Sequence, residues 1–252
     1  MKNALKMKDD EIKEFVKKTY AKVATSGCSC CGDSSSLPSG VEQATLAGYS
    51  LDELKFMPAK VMETFDGCGN PVAFSELKTG ETVLDIGSGG GLDAFLAAKK
   101  VGTTGRVVGI DFTEKMIRKA MGNARELGLK NVEFRLGDAE DMPVETSSVD
   151  VVISNCVINL APDKDKVFEE AYRVLKPGGR MIISDMVTEG ELPDEIRRDP
   201  RCWAGCVAGA LEIEDYLRKI RKAGFKHVKV LSRTNFDKTI VSIKVKAQKP
   251  EN

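Results

Sequence analysis

The chain has 252 residues, of which 42% are hydrophobic and 30% are charged, so it is long enough for one large α/β domain or a core domain with an extension. Its 38 Lys and Arg balance its 38 Asp and Glu, which gives no electrostatic reason to expect a nucleic acid or an anionic membrane as partner. No apolar run approaches the roughly 20 residues of a membrane span, and residues 1–18 lack the apolar core of a signal peptide, so we expect a cytoplasmic protein.

Residues 1–75 are predicted to form a helical extension that also contains cysteines. Apolar residues recur at helical spacing over residues 8–24, and two aspartates near the start suit a helix N-terminus. A second, short helix is predicted over residues 49–60, with Ser50 as N-cap and Glu53 completing a capping box. The Gly-Cys-Gly-Asn-Pro turn at 67–71 is predicted to stop this second helix.

Residues 76–185 are predicted to form the core, because short apolar runs and helical patterns alternate along this stretch. Such alternation is typical of a mostly parallel, doubly wound sheet with right-handed crossovers, a Rossmann-like α/β fold. The predicted strands are 82–86, 106–110, 132–136, 150–154 and 180–185, and the predicted helices are 92–101, 113–127 and 164–175. A Lys-Pro-Gly-Gly turn at 176–179 is predicted to separate the last of these helices from the fifth strand.

Residues 186–252 are predicted to form a segment that covers the acceptor site, followed by two final strands. The pattern is loose over residues 186–208, helical over 213–223, and strand-like over 227–231 and 239–245. We expect the last two strands to be an antiparallel pair at the edge of a seven-stranded sheet.

The segment 83–91, Val-Leu-Asp-Ile-Gly-Ser-Gly-Gly-Gly, is predicted to be a buried strand that runs into a glycine-rich turn. Glycine lets the backbone bend sharply and approach a ligand without a Cβ clash. The dinucleotide-binding fingerprint needs a further glycine where this chain has Leu92. The loop therefore indicates a nucleotide-like ligand other than a nicotinamide dinucleotide, and a tight turn without a ligand is the alternative.

Three acids stand at the ends of successive predicted strands, namely Asp85, Asp111 and Asp138. Because such strand ends meet at one edge of an open α/β sheet, we expect the three carboxylates to share a site. Asp111 lies about 20 residues beyond the glycine loop, where an acid can bond the vicinal hydroxyls of a ribose. Taken singly, each acid also suits an ordinary loop or cap position.

This arrangement resembles the motifs of S-adenosylmethionine-dependent methyltransferases with a Rossmann-like fold, over about residues 80–190. In that family the acid of a motif like Asp138-Ala139 bonds the adenine amino group. Phe112 and Met116 are placed to flank the adenine, although ordinary helix packing explains Met116 equally well. The resemblance implies S-adenosylmethionine as cofactor and the following residues around it: Asp85, Gly87, Gly89, Gly91, Asp111, Phe112, Met116, Asp138, Ala139 and Asn155.

The acceptor side lacks the histidine base that methylation of O, N or C often uses. The single histidine, His227, falls in a predicted edge strand, where a structural role is expected. Cysteines are the alternative: Cys156 follows the fourth strand, Cys68 lies in the turn before the core, and Cys202 and Cys206 lie in the loose segment. A buried cysteine is most often a small hydrophobe, so the residues alone leave both interpretations open.

The segments 67–73, 154–160 and 205–210 closely resemble arsenite methyltransferases, and the resemblance extends from about residue 49 to residue 225. In that family three cysteines at these places bind trivalent arsenic, which implies that Cys68, Cys156 and Cys206 are the arsenic ligands and catalytic thiols. Cys202 has no counterpart. The stretch 60–66 departs from the family's glycine- and asparagine-bearing loop. Binding by Cys156 and Cys206 alone, with a glutathione-like thiol as third ligand, is therefore an alternative.

Arsenic chemistry agrees with the lack of a histidine base. Trivalent arsenic is soft and prefers thiolates, and three sulfurs leave its lone pair pointing away from them. If the lone pair faces a sulfonium methyl group, displacement needs alignment and no base. Methylation raises arsenic towards the pentavalent state. We expect its reduction to be coupled to disulfide formation among Cys68, Cys156 and an upstream cysteine, with glutathione or a thioredoxin-like protein as external reductant.

The upstream cysteines, Cys28, Cys30 and Cys31, lie in a loop predicted over residues 26–40. Four interpretations compete: a redox partner, metalloid capture, a zinc site, or a loop without a chemical role. Zinc is disfavoured because no further Cys-x-x-Cys or His pair completes four ligands. Thiolate chemistry favours a redox or capture role.

The leading hypothesis is an enzyme that methylates arsenite or its thiol complexes for detoxification. One alternative is a methyltransferase for a small organic acceptor, for which Asp185 is the candidate base. Another is a thiol-based metalloid-binding protein without turnover. The intact set of acids at 85, 111 and 138 argues against this last alternative.

Overall fold

The computed structural model describes residues 8–26 and 40–251. Its centre is a seven-stranded sheet with strands β1 (Thr82–Ile86), β2 (Arg106–Asp111), β3 (Val132–Leu136), β4 (Val149–Asn155), β5 (Leu175–Thr188), β6 (Lys226–Asn235) and β7 (Ile240–Gln248). The strand order is β3-β2-β1-β4-β5-β7-β6. Strands β1 to β5 pair in parallel, whereas β7 is antiparallel to both β5 and β6. The predicted doubly wound α/β fold with an antiparallel pair at the edge is confirmed.

The helices of the described residues connect and cover these strands. They are α1 (Asp9–Ser26), α2 (Gly40–Leu46), α3 (Leu51–Leu54), α4 (Ala59–Met62), α5 (Pro71–Phe74), α6 (Leu92–Val101), α7 (Glu114–Glu126), α8 (Lys164–Val174), α9 (Asp194–Arg198), α10 (Pro200–Ala204) and α11 (Ile213–Lys222). None of the helices in the described ranges has the length and apolar character needed to cross a membrane.

Both faces of the central strands are buried, which explains why β1, β2 and β4 are nearly continuous apolar runs. The edge strand β6 is mostly exposed. Successive side chains of a strand point to opposite faces. In β1, Val83 accordingly packs in the cluster formed with α6 and α7. Leu84 and Ile86 pack in the cluster formed with α8 and α11. This two-sided burial makes the central strands a rigid platform for the loops at their carboxyl ends.

The sheet has its topological switch point between β1 and β4. The chain runs outward from β1 through β2 to β3, then crosses back to add β4 on the other side of β1. The loops that leave β1 and β4 therefore turn in opposite directions and open a crevice at the carboxyl edge. In open α/β sheets, this crevice is where ligands bind.

Helix α1 lies over the same carboxyl edge. Its apolar stripe buries Ile12, Val16 and Val23, and it packs against α7 and α10. Two further residues of α1, Lys13 and Tyr20, line two clefts between this helix and the sheet edge. The amphipathic helix predicted over residues 8–24 is thus confirmed, and it forms one wall of the crevice.

Two local predictions are wrong. The helix expected over residues 49–60 is divided into α3 and α4, because Pro58 lacks the amide hydrogen that a continuous helix needs. The capping box of Ser50 and Glu53 is nevertheless present. No turn separates α8 from β5, since Leu175 already pairs with Val149. The pairing register then shifts, so that Arg180 pairs with Val151 and residues 176–179 form a bulge in β5.

Candidate functional site

The glycine loop between β1 and α6 adopts the sharp turn that its sequence predicts. Gly87, Gly89 and Gly91 all have positive φ angles, of 70°, 50° and 102°, a region that side chains with a Cβ rarely occupy. A carboxylate oxygen of Asp111 accepts a hydrogen bond from the Gly89 amide at 3.0 Å. Asn123 of α7 donates to the carbonyl oxygen of Gly90 at 2.9 Å. These bonds hold the loop against β2 and α7.

Two adjoining clefts open beside this loop. The larger one measures about 700 Å³ including its solvent-open part, and the smaller one measures about 430 Å³. Of the predicted cofactor residues, Asp85, Gly87, Gly89, Asp111, Phe112, Met116 and Asn155 line the larger cleft, and Asp138 and Ala139 line the smaller one. Gly91 is the N-cap residue of α6. The fold therefore brings the predicted residues to one edge of the sheet.

The larger cleft is acidic at its base. Burial raises the pKa of Asp85 well above its usual value, and the neighbouring carboxylates Asp93 and Asp111 add to this shift. Burial likewise raises the pKa of Asp93 to about 6, against hydrogen bonds that lower it. One carboxylate oxygen of Asp85 is buried without a hydrogen-bond partner. Such an oxygen suits a ligand that carries positive charge and hydrogen-bond donors.

Asp138 forms an ion pair with Lys13 of helix α1. The Lys13 ammonium group contacts a carboxylate oxygen of Asp138 at 2.7 Å and one of Glu140 at 2.6 Å. All three side chains lie at the smaller cleft or its rim, and Asp138 retains an exposed side-chain fraction of 38%. The Asp138 carboxylate, which is predicted to bond an adenine amino group, is therefore accessible to a ligand and also pairs with Lys13.

Asn155, at the end of β4, connects the cofactor side to the turn that carries Cys68. Its side-chain oxygen accepts hydrogen bonds from the amides of Cys68 at 3.0 Å and Gly69 at 3.2 Å. Its side-chain nitrogen lies 3.0 Å from Asp93 and 2.9 Å from the Tyr49 hydroxyl. Tyr49 in turn donates to Asp93 at 2.6 Å. Asn155 lines the larger cleft, and its protein bonds give it a positioning role there.

We expect Asn155→Ala to lower both stability and ligand binding. The substitution leaves the buried Cys68 amide and the Asp93 carboxylate without a partner, which costs about 3 kcal/mol of unfolding free energy. Urea unfolding and ligand titration measure the two effects. Asn131→Ala is a matched control, because Asn131 also donates to two backbone carbonyls but lies away from the clefts. The control should lower stability and leave binding unchanged, and equal binding by both variants would contradict the assigned role.

The three predicted cysteines come together although they are far apart in sequence. Cys68, Cys156 and Cys206 belong to one buried cluster, with 6%, 5% and 3% of their surfaces exposed. The sulfur atoms of Cys68 and Cys156 lie within 4.8 Å of each other, and the Cys206 thiol contacts the backbone of Cys156. The three residues line a cavity of about 1,220 Å³ including its solvent-open part, and Cys156 also lines the glycine-loop cleft. Cys156 therefore stands where the two spaces meet.

Two of these cysteines have unusual backbone conformations. Cys156 and Cys206 have φ angles of 60° and 61°, which cost about 1–2 kcal/mol for a residue with a Cβ. The Cys206 thiol donates to the carbonyl oxygen of Cys156 at 2.8 Å, and Asn159 donates to the carbonyl oxygen of Cys206 at 3.2 Å. Residues held in this region cluster at functional sites, because the surrounding structure must compensate the strain.

The buried thiols and the groups behind them titrate abnormally. Hydrogen bonds with Cys206 and Cys68, and then burial, raise the pKa of Cys156 well above its usual value. A hydrogen bond with Cys156 lowers the pKa of Cys206, but burial and nearby acids raise it to about 11. Burial raises the pKa of Asp185 to about 7. The thiols of Cys156 and Cys206 are therefore neutral at physiological pH.

Some predicted site residues lie outside the described residues or away from the clefts, and two residues at the site were not predicted. Cys28, Cys30 and Cys31 fall outside the described residues. His227 is exposed on β6 and does not line the clefts described above, so it is not a candidate base. The sequence analysis missed the roles of Tyr49 and Asp93. Asp93 is visible in sequence as an acid in the first turn of α6, but its contact with Tyr49 spans 44 residues and has no local signal.

A family model described as a methyltransferase domain matches residues 77–224. An arsenite methyltransferase of Halobacterium salinarum is 46% identical over 234 residues, which cover 88% of this chain and 59% of that protein. The chain belongs to the arsenite methyltransferase family. The human arsenite methyltransferase is 34% identical over 235 residues, which cover 87% of this chain and 59% of that protein.

The family assignment extends to a solved structure. An arsenic (III) S-adenosylmethionine methyltransferase from Chlamydomonas reinhardtii superposes with a TM-score of 0.67 and 38% identity, covering 85% of this chain and 75% of that chain. The chain spans about 59% of the length of the Halobacterium and human relatives. The fold and family are thereby shared, and the activity of the chain is inferred from its own site.

Proposed function

We propose that this chain methylates trivalent arsenic with S-adenosylmethionine as cofactor, and that Cys68, Cys156 and Cys206 hold the arsenic. The observation that carries the proposal is the position of Cys156. It lines both the glycine-loop cleft and the cavity of the three thiols. An arsenic atom on these sulfurs would lie at the junction of the two spaces, which is the alignment that methyl transfer requires.

The cleft suits S-adenosylmethionine on its own chemistry. The unpartnered oxygen of Asp85 and the acidic base of the cleft fit the ammonium group and positive charge of this cofactor. Asp111, already holding Gly89, would bond the ribose, and Asp138 with Ala139 would contact the adenine. When bound, the cofactor supplies an electrophilic methyl group on a sulfonium.

The protein's own residues prepare the acceptor. Three thiols condense with arsenous acid, each S–H proton leaving with one arsenic hydroxyl, so that three As–S bonds form and three waters leave. Three sulfur ligands leave the arsenic lone pair free as the nucleophile, so no general base is needed. Residues 1–75 and 186–252 would supply Cys68 and Cys206, and residues 76–185 would supply the cofactor cleft with Cys156.

Methyl transfer leaves arsenic in the pentavalent state, and we propose that thiols reduce it. Two thiols give up two electrons and two protons and become a disulfide, which an external thiol such as glutathione or a thioredoxin-like protein then reduces. The contact between the thiols of Cys68 and Cys156 supports their participation. Cys28, Cys30 and Cys31 remain the proposed upstream partners. The reaction needs reduced thiols, in agreement with a reducing compartment such as the cytoplasm.

The decisive test is incubation of the chain with S-adenosylmethionine carrying a labelled methyl group, arsenite and a thiol, followed by separation of the arsenic products. Labelled methylarsenic is the expected product. Tight arsenite binding without any labelled product would instead indicate a metalloid-binding protein.

A second candidate acceptor is a small organic molecule, and one observation favours it. Asp185 lies beside Cys68 and Cys156, and its pKa of about 7 suits a general base. Thiol-blocking reagents distinguish the candidates, because they would stop arsenic methylation but leave a carboxylate base intact.

The acidic cleft predicts that cofactor affinity rises with pH. Below its pKa of about 6, Asp93 holds a proton that a positively charged ligand must displace, and Asp85 acts in the same direction. We therefore expect the affinity to increase between about pH 5 and pH 7, with release of protons on binding. Calorimetric titration in buffers of different ionisation enthalpy measures both quantities. A pH-independent affinity without proton release would contradict the assigned electrostatics.

Arsenite binding should behave differently. The pKa values of Cys156 and Cys206 lie above neutrality, and condensation of neutral thiols with neutral arsenous acid releases water without net protons. We expect nearly constant arsenite affinity between about pH 6 and pH 8, because neither of these thiols ionises in that range. Ultraviolet absorption of the arsenic–thiolate bonds follows the titration. An affinity that falls by tenfold or more per pH unit would show that thiols are already ionised in this range, because each thiolate must then take up a proton for the water that leaves.

A further inference from the structure

A fourth donor atom stands beside the three thiols. Asp185 lies in the carboxyl-terminal part of β5 and is 1% exposed. The sulfur atoms of Cys68 and Cys156 and one carboxylate oxygen of Asp185 all lie within 4.8 Å of one another. The Cys206 thiol donates a hydrogen bond to the backbone carbonyl oxygen of Cys156 at 2.8 Å. Two sulfurs and one oxygen therefore converge behind the cysteine cavity, and the Cys206 thiol lies next to Cys156.

This donor set exceeds what arsenic needs. Trivalent arsenic forms three bonds to sulfur and keeps a lone pair, so the oxygen has no bond to make with it. Zinc and cadmium ions, in contrast, have no lone pair of this kind, accept thiolates and carboxylates, and prefer four donors in a tetrahedron. Zinc–sulfur bonds of about 2.3 Å place tetrahedral donors about 3.8 Å apart, so the donors of Cys68, Cys156 and Asp185, which lie within 4.8 Å of one another, need only small shifts. The Cys206 thiol, beside Cys156, would turn towards them as the fourth donor.

We propose that Cys68, Cys156, Cys206 and Asp185 form a tetrahedral site for a thiophilic divalent cation such as Zn²⁺ or Cd²⁺. Three thiols lose their protons to solvent as three metal–sulfur bonds form, and the ionised carboxylate makes the fourth bond. No oxidant or reductant takes part. The cation binds without S-adenosylmethionine, so the site is independent of the proposed methylation.

The surroundings of Asp185 are those of an oriented ligand. One of its oxygens accepts a hydrogen bond from the Met186 amide at 2.9 Å, and the other accepts one from the Tyr216 hydroxyl at 3.0 Å. Bonds of this kind fix the direction of metal-binding carboxylates. The buried ammonium group of Lys164 interacts with the charges of Asp185 and Cys206 and would offset part of the negative charge of the ligands. The cysteine cavity provides the entry path.

The consequence is competition at the acceptor site. A cation on these donors uses the same sulfurs as arsenic, so it should inhibit methylation competitively with arsenite and non-competitively with the cofactor. This consequence rests on the proposed function, whereas cation binding itself does not. Failure of cation binding and failure of the proposed methylation can therefore be distinguished.

Cadmium is the probe of choice, because its thiolate bonds absorb in the ultraviolet and its ¹¹³Cd nucleus reports the donor set. The reduced full chain, with Cys28, Cys30 and Cys31 replaced by serine, is titrated with Cd²⁺ alone. We expect one cation per chain and a ¹¹³Cd resonance typical of three sulfurs and one oxygen. A resonance typical of four sulfurs, or of two, would overturn the proposal on the unaltered site.

Asp185→Asn tests the oxygen ligand directly. We expect cadmium affinity to fall by about tenfold to a hundredfold, the range found when groups supporting a bound metal are removed, while arsenite affinity changes less than about threefold because the thiols persist. Asp194→Asn is the matched control, since Asp194 is exposed on α9 and pairs with Arg198. Unchanged cadmium affinity in a folded Asp185→Asn variant would overturn the proposal. If that variant does not fold, the ¹¹³Cd spectrum decides.

Discussion

Replacement of Cys156 or Cys206 by serine is expected to lower arsenic methylation by about a hundredfold or more, because loss of one sulfur ligand displaces the nucleophile from its alignment with the methyl group. A hydroxyl group is a poor ligand for a soft centre. The left-handed backbone conformation of both residues fixes the direction in which each thiol points. A ligand supplied by another position could not reproduce this geometry.

The measurements separate binding from chemistry. Cofactor affinity should be unchanged in Cys206→Ser, because Cys206 lines the acceptor cavity and not the glycine-loop cleft. Arsenite affinity and methylarsenic formation should both fall. Cys202→Ser is the control, since Cys202 is partly exposed on α10 and does not line these clefts. Full methylation by Cys156→Ser and by Cys206→Ser would refute the assignment of the thiols as arsenic ligands.

The strain at Cys156 and Cys206 supports the proposal that these residues have a chemical role. A small apolar residue would fill the same space, and glycine would adopt φ near 60° without cost. The chain instead has thiols at both strained positions, and the Cys206 thiol donates to the Cys156 carbonyl oxygen. The raised pKa values of Cys156 and Cys206 keep both thiols protonated at neutral pH, which suits condensation with neutral arsenous acid.

The central sheet is predictable from sequence because its signals are local. The strands β1 and β2 are short apolar runs ended by glycine or an acid, and each is followed by a pattern with helical period. The loop geometry at Gly87 to Gly91 follows from the same local signals. Contacts between distant parts of the chain lack such local signals, since nothing within the segment 205–210 specifies that Cys206 contacts Cys156. That contact came from resemblance to a family.

The details that sequence reasoning missed are tertiary. Lys13 of α1 reaches Asp138 across 125 residues, and Tyr49 reaches Asp93 across 44. Both contacts depend on how the N-terminal helices pack on the carboxyl edge, which the apolar pattern of those helices does not determine. The division of α3 from α4 had a local signal in Pro58, which the periodicity over residues 49–60 outweighed.

The glycine loop supports the second large prediction. Gly87→Ala is expected to weaken S-adenosylmethionine binding by about a hundredfold, which corresponds to about 3 kcal/mol. At Gly87 the φ angle is 70°, and an added Cβ would overlap the side chain of Val157. Val157 lines both clefts, so the displacement that relieves the overlap would narrow the space for the cofactor. The left-handed conformation adds a cost of about 1 kcal/mol for alanine.

A matched glycine separates this local effect from a general loss of stability. Gly122 lies inside α7, and an added Cβ there meets no atom within 4 Å. Gly122→Ala should therefore stabilise the chain by up to about 1 kcal/mol, because alanine favours a helix and restricts the unfolded chain. Calorimetric titration with the cofactor and urea unfolding of both variants provide the comparison. Cofactor binding by Gly87→Ala equal to that of Gly122→Ala would refute the assignment of Gly87 to the cofactor cleft.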